Sequence, residues 1–346
     1  MRKLIESATD IVKCCYENQM PADELLDIAE QKIFDIKAKG LRRDLSEIGP
    51  ELNKIIKNLE ARSITNRGLI TGIETGFAKL DALTSGFQAG DLVIIAGRPS
   101  SGKTALALNI ATYAAKREER PVAIFSLEMT QETLIERIIC AEAQISFQKL
   151  RRGNFEPSDW IQLTEACDTI KKLPIYIDDS ASMKVLEIKA KARRLCAEKR
   201  DLALIFIDYL QLIEPQYPSR QKSRQQEITE ISRALKGLAK ELNVPVVALS
   251  QLSRLPERRV DKRPQLADLR ESGAIEQDAD LVILLYRPEI YEEFQSRPEY
   301  QGWAELIIAK QRNGPQGTVR LKYRKEYMKF EQYDESELPD IPEDIV

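Results

Sequence analysis

A short apolar run that stops on a glycine-rich turn and restarts as a helix leaves this chain few folds to choose from. Asp91-Leu92-Val93-Ile94-Ile95-Ala96 reads as a buried strand. Gly97-Arg98-Pro99-Ser100-Ser101-Gly102-Lys103-Thr104 reads as the turn, and residues 105–116 as the helix. A Gly-x-x-x-x-Gly-Lys-Thr turn in that setting converges backbone N–H groups on a polyphosphate at the positive end of the helix dipole. The eight residues from Gly97 to Thr104 therefore predict a nucleoside triphosphate site, not an ordinary glycine turn. Lys103 is expected to reach the β- and γ-phosphates of ATP, and the Thr104 hydroxyl to ligate Mg²⁺.

Around this motif apolar runs alternate with helical patterns. Strands are expected at 122–125, 175–177, 204–207, 244–249 and 281–285, with helices between the earlier ones. Such alternation predicts an α/β fold with a mostly parallel sheet covered on both faces. Beyond Glu305 short strands follow without helices, at 306–309, 319–323 and 328–333, as in an antiparallel edge. Residues 1–62 read as a small all-helical segment: a hairpin broken at 18–21, then a third helix opened by Gly49-Pro50, whose apolar stripe Leu52, Ile55, Ile56 and Leu59 needs a surface to dock on. Residues 63–76 have linker composition, 77–333 form the expected ATPase domain, and 334–346 an acidic tail expected to be disordered.

Composition removes whole classes of chemistry. The chain has no histidine, so His-based triads, histidine general bases and His-ligated metals are excluded. Its five cysteines lack Cys-x-x-Cys spacing, which argues against a zinc knuckle or a disulfide framework. No apolar run is long enough for a membrane span, and Glu6 and Asp10 interrupt any secretory core, so a cytoplasmic location is expected. With a net charge of −3, any nucleic-acid site must be a local basic surface.

Leu204-Ile205-Phe206-Ile207-Asp208 has the form of a Walker B strand, so Asp208 is expected to hold the metal through water. Without histidine, the group that orients or deprotonates water must be a carboxylate at the same sheet edge. Glu128 meets that requirement, standing just past the 122–125 strand; the plainer alternative is a charge at the start of the next helix. Gln251, just past the next parallel strand, is placed to sense the γ-phosphate.

These residues, together with Ser126-Leu127-Glu128-Met129, Ile207-Asp208-Tyr209-Leu210-Gln211, Ser250-Gln251-Leu252-Ser253-Arg254, Asp268-Leu269-Arg270-Glu271-Ser272-Gly273 and Lys310-Gln311-Arg312-Asn313-Gly314-Pro315, closely resemble the DnaB-type replicative DNA helicases. The resemblance implies a RecA-like motor that assembles as a homo-hexameric ring around single-stranded DNA, with ATP between subunits and a helicase loader as partner. It implies Glu128 as catalytic carboxylate, Asp208 as metal-side acid and Gln251 as phosphate sensor. Lys310 and Arg312 would be lent to the neighbouring subunit's nucleotide. Arg270, Glu271 and Gly273 would touch the DNA backbone, Glu271 only through main-chain or water contacts. Members of that family ordinarily carry a globular helical head before the hairpin, whereas this chain begins inside the hairpin's first helix. Primase recruitment, which rests on the head, is therefore not among the expectations.

From the residues themselves, Arg254, Arg258, Arg259, Lys262 and Arg263, with Arg220, Lys222 and Arg224, predict two basic loops that follow phosphates without sequence preference. A RecA-type recombinase would share the phosphate ligands but not the Lys310–Pro315 segment or the hairpin. An ATP-switched loader or scaffold without unwinding would keep them all.

Overall fold

The computed structural model describes residues 2–17, isolated positions between 25 and 60, and residues 70–199, 201–215, 223–269 and 273–333. The chain divides into two compact units, Met1–Leu69 with Leu186–Arg194 and Ile70–Val185 with Leu195–Val346. In the first unit helix α1 (Arg2–Glu17) forms where the helical spacing predicts it, with Ile5 and Val12 exposed. The return of the hairpin, most of the third helical segment, residues 63–69 of the linker and the acidic tail lie outside the described residues.

The second unit is built on one nine-stranded sheet of order β3-β2-β4-β5-β1-β6-β7-β8-β9. Its strands are β1 (Leu92–Gly97), β2 (Val122–Ser126), β3 (Ile175–Asp178), β4 (Leu204–Asp208), β5 (Val246–Gln251), β6 (Leu281–Tyr286), β7 (Trp303–Gln311), β8 (Gly317–Arg324) and β9 (Lys329–Gln332). The first six pair in parallel, and β7, β8 and β9 add an antiparallel flank. Its helices are α2 (Ala78–Thr84), α3 (Lys103–Glu118), α4 (Gln131–Ala143), α5 (Phe147–Arg152), α6 (Pro157–Ile170), α8 (Arg224–Leu242), α9 (Gly273–Asp278) and α10 (Glu292–Gln295), while most of α7 (Val185–Lys199) belongs to the first unit.

Strands β1, β2, β4 and β6 are buried along their whole length, the pattern of parallel strands covered on both faces. Helix α3 is buried almost all round, and its alanines at 105, 107, 111, 114 and 115 let it lie close against the sheet. The described end of the expected linker packs with this unit: Ile73 bridges Phe87, and the buried Asp81 accepts from Thr75 N–H at 2.9 Å. Strand β5 starts two residues later than the apolar pattern at 244–249 suggests, because Pro245 has no N–H to pair.

Register fixes what meets at each end of the sheet. Gly97 aligns with Gln251, Ser126 with Asp208, and Ile207 with Ala248, so β1, β2, β4 and β5 end on one C-terminal edge. There the chain leaves each strand for a loop, the usual place for a ligand in an open α/β sheet. Strand β7 runs the other way, pairing Gln311 with Leu281 and Lys310 with Val282, with an irregularity that leaves Ala309 out of register. Lys310 and Arg312 therefore come to the N-terminal edge.

Candidate active site

The turn after β1 is built by two residues with positive φ, Ser100 at 61° and Gly102 at 95°. Gly102 caps α3, and a Cβ there would meet Phe330 Cζ at 3.1 Å as well as straining the backbone. Behind the turn, the buried Arg287 donates to Ser101 O at 3.1 Å and Ser100 O at 3.3 Å, pairs with Glu289 and lies 3.9 Å over the Tyr323 ring. Lys103 Nζ folds over the loop and donates to Gly97 O at 2.9 Å and Arg98 O at 3.1 Å. Burial lowers the Lys103 pKa to about 8, against the pull of Asp208 and Glu128, with Arg98 lowering it further.

The Thr104 hydroxyl donates to Asp208 Oδ2 at 2.7 Å. Burial raises the pKa of Asp208; the Thr104 hydroxyl lowers it, Glu128 raises it, and Lys103 and Arg137 lower it. A buried carboxylate beside a hydroxyl at the phosphate end of the loop suits Mg²⁺, which takes one or two carboxylates and completes its shell with water and phosphate oxygens.

Glu128 is presented by a local device. Ser126 Oγ donates to Met129 O at 2.7 Å and accepts from Met129 N–H at 3.1 Å, while Leu127 N–H donates to Asp208 O at 2.7 Å. Thr130, not Glu128, caps α4. The carboxylate is left exposed on the cleft wall and is not spent on a helix terminus. Gln251 is held from behind by Gln211, which bonds Ser250 Oγ at 2.9 Å and accepts from Gln251 N–H at 3.3 Å. Lys103, Thr104, Glu128, Arg137, Gln251 and Tyr323 all line one cleft of about 560 Å³, within the size range of small-molecule sites.

Of the loop residues singled out in the sequence, Pro99, Ser100, Gly102, Lys103 and Thr104 line that cleft. Gly97 ends β1, and the buried Ser101 hydroxyl has no partner among the described residues. Arg98 points elsewhere: it donates to Leu252 O at 3.0 Å and pairs with Glu257, tying the loop to the segment beyond Gln251.

Lys310 and Arg312 are absent from the cleft. Four residue steps along β6 separate Leu285, level with Gly97, from Leu281, level with Gln311, a span of about 13 Å. Lys310 Nζ donates to Ala279 O at 2.8 Å, and Arg312 bonds Gln277 O at 2.5 Å and Asp280 at 3.2 Å.

The expected basic stretch is corrected in part. Arg259 is bidentate to the fully buried Asp268 at 2.6 and 2.7 Å, Arg263 pairs with the buried Glu305 at 2.5 Å, and Lys262 sits 3.1 Å from Glu293. These cations hold loops together instead of facing solvent. Arg224 likewise bonds Glu227 and Gln211 O. Arg254 is exposed, and Gly273 opens α9. Arg220, Lys222, Arg270 and Glu271 and the side chain of Arg258 lie outside the described residues.

Sequence reasoning missed Arg137, Arg287 and the role of Gln211. Arg137 stands on the buried side of α4 between Leu134 and Ile138, and a charge inside an apolar stripe was its signal. Arg287 follows the apolar run of β6 as Asp208 ends that of β4.

A mostly parallel sheet with a phosphate-binding turn, a strand-end aspartate and a glutamate on one edge defines a P-loop nucleoside triphosphatase. Residues 72–332 match the DnaB-like helicase C terminal domain family. The replicative DNA helicase DnaB of Geobacillus stearothermophilus is 49% identical over 346 residues, covering 98% of this chain and 74% of that protein. The replicative DNA helicase DnaC of Bacillus subtilis (strain 168) is 49% identical over 331 residues, covering 95% and 71%. Among solved structures, the ATPase domain of G40P superposes with a TM-score of 0.78 at 41% identity, over 84% of this chain and 100% of that one. A DnaB-like replicative helicase described with its interactions with primase gives 0.81 at 38% identity, over 96% and 76%. The chain belongs to the DnaB-like helicase family.

Proposed function

We propose that this chain is the motor of a replicative DNA helicase, which hydrolyses ATP to move along single-stranded DNA and unwind duplex at the fork. The observation that carries the reading is the division of charge between sheet edges: the acceptors and the phosphate loop on one, the Lys310 and Arg312 cations on the other. A family of helicases at this level of identity favours it over a recombinase or a scaffold.

In the cleft, the Gly97–Thr104 loop and Lys103 hold the β- and γ-phosphates, and Glu128 takes the proton of the attacking water or orients it. Thr104 and Asp208 would hold Mg²⁺, which would supply positive charge against the phosphates. Gln251, backed by Gln211, hydrogen-bonds the γ-phosphate and passes its presence to the residue 252–257 segment. Arg98 spans the same two segments. Arg312, with Lys310, completes the site of a neighbouring subunit in a homo-hexamer, stabilising charge on the transferring phosphoryl group. Arg254, Arg270, Glu271 and Gly273 line the path of single-stranded DNA. Residues 1–62 form the hairpin and docking helix, 63–76 the linker and 77–333 the motor. A helicase loader is the expected partner, and the location is the cytoplasm at the replisome.

The test is unwinding of a forked duplex by the purified protein with ATP and Mg²⁺. Strand separation that disappears in Lys103→Ala supports the reading. ATPase activity without strand separation, by an assembled ring with a free single-stranded tail to load on, would leave only a switch or scaffold.

A further inference from the structure

Asp280 stands between α9 and β6, and its bonds run in two directions. Toward β1, its N–H donates to Leu92 O at 2.9 Å and its Oδ2 accepts from Leu92 N–H at 2.9 Å. The same oxygen takes Lys236 of α8, which also donates to Gly90 O at 2.7 Å. Toward β7, Oδ1 faces Arg312 Nη1 at 3.2 Å, and Asp280 O accepts from Arg312 N–H at 2.9 Å. The carboxylate is 8% exposed, whereas the Arg312 side chain is 46% exposed. A guanidinium has five donors, so contacts at Nη1 and at Nη2 with Gln277 O leave others for an acceptor outside the subunit. Lys310 is held alongside by Ala279 O and Glu276 O near the C-terminal, electronegative end of α9.

We propose that Asp280 is the positioning residue of Arg312, fixing the direction in which it is presented and linking it to the strand that carries the subunit's own phosphate loop. The inference rests on the reading of Arg312 as acting on a neighbour's nucleotide. A cation that stabilises a developing charge must arrive aimed, since a misplacement of about 1 Å costs on the order of 10²-fold in rate. The Leu92 bonds make that aim depend on β1, so one residue ties the strand that ends in a subunit's own phosphate loop to the cation offered to the next subunit.

Asp280→Asn keeps an acceptor for Leu92 N–H while removing the charge that faces Arg312. Positioning predicts a fall in ATPase kcat of about 10²-fold, with KM for ATP and nucleotide affinity within about twofold. A residue that merely braced β1 would move KM and affinity, and that result overturns the proposal. Mixing under subunit exchange locates the defect. Asp280→Asn should regain activity with Lys103→Ala subunits, whose cation pair is intact, and none with Arg312→Ala subunits. Recovery with Arg312→Ala instead puts Asp280 on the phosphate-loop side and overturns it. The control is Arg312→Ala with Lys103→Ala: if labelled subunits co-assemble and no activity returns, the reading of Arg312 itself fails, and the proposal with it. Should Asp280→Asn not assemble, Asp280→Glu is read in the same mixtures. Its carboxylate is displaced by one methylene, so the same loss and the same partner dependence are expected, and full activity would overturn the proposal.

Discussion

At the C-terminal edge of β1, β2, β4 and β5 the chain gathers acceptors around one buried ammonium: Glu128, Asp208 and the Gln251 amide near Lys103. At the N-terminal edge it gathers cations around backbone carbonyls and one buried carboxylate: Lys310, Arg312 and Lys236 around α9 and Asp280. The first edge has a phosphate-binding turn and a cleft. The second has no such turn among the described residues and a smaller pocket of about 220 Å³ lined by Asp91, Asp280 and Gln311. Lys310 and Lys236 each meet three acceptors there, whereas Arg312 keeps donors to spare. Phosphoryl transfer needs charge of both kinds at one place. A sheet that keeps Lys310 and Arg312 at the end opposite the cleft brings them to a bound phosphate only when two copies meet, which is the physical argument for a site shared between subunits.

The sharpest way to break this comparison is Arg312→Ala. Acting across a boundary, Arg312 is expected to contribute about 10³–10⁵ in ATPase rate, roughly 4–7 kcal/mol. As only a half-exposed partner of Asp280 it would contribute at most about 1 kcal/mol of stability and nothing to turnover. Steady-state ATPase beside a melting curve separates the two. Glu128→Gln is the matching change at the other edge. It should retain ATP binding and assembly while lowering turnover by about 10²–10⁴, and near-normal hydrolysis would transfer the role to another carboxylate.

The two edges also differed in how much of them was legible. Glu128, Asp208 and Gln251 could be read because each ends or follows an apolar run, and parallel strands bring such ends together. The antiparallel flank was legible as strands at 306–309 and 319–323, but periodicity carries no register. That Lys310 and Arg312 come to the opposite edge follows only from the pairing of Gln311 with Leu281. Partners were the least legible feature. The run from Arg254 to Arg263 reads as a free basic surface, yet Asp268 and Glu305, distant in sequence, claim Arg259 and Arg263. Charge pattern alone does not distinguish a cation awaiting phosphate from one already neutralised inside the fold.

That distinction yields a smaller, paired effect. Arg254→Ala, at an exposed cation, should weaken binding to all single-stranded sequences alike and flatten the slope of log K against log salt by about 0.7. Arg259→Ala should leave that slope alone and instead cost about 3 kcal/mol of stability, because Asp268 is fully buried and would lose its guanidinium. Salt titrations of both variants with unfolding curves check the pair, and a flattened slope for Arg259→Ala would return it to the DNA surface.

The smallest effect concerns protons. Burial lowers the Lys103 pKa to about 8, so near that pH about half of the ligand-free molecules carry a neutral amine. Triphosphate oxygens favour the ammonium and raise its pKa, so binding at pH 8 should take up about half a proton and at pH 7 about a tenth. By the same linkage, affinity should fall as pH rises through 8, where the free protein must first gain the proton that the complex holds. Calorimetric titrations in buffers of different ionisation enthalpy measure the uptake directly. Lys103→Ala should abolish it. Arg312→Ala should leave it intact, because that guanidinium stands at the other edge. Uptake that survives Lys103→Ala would mean that another group titrates in the cleft, and the contrast between a buried ammonium at one edge and clamped cations at the other would lose its electrostatic basis.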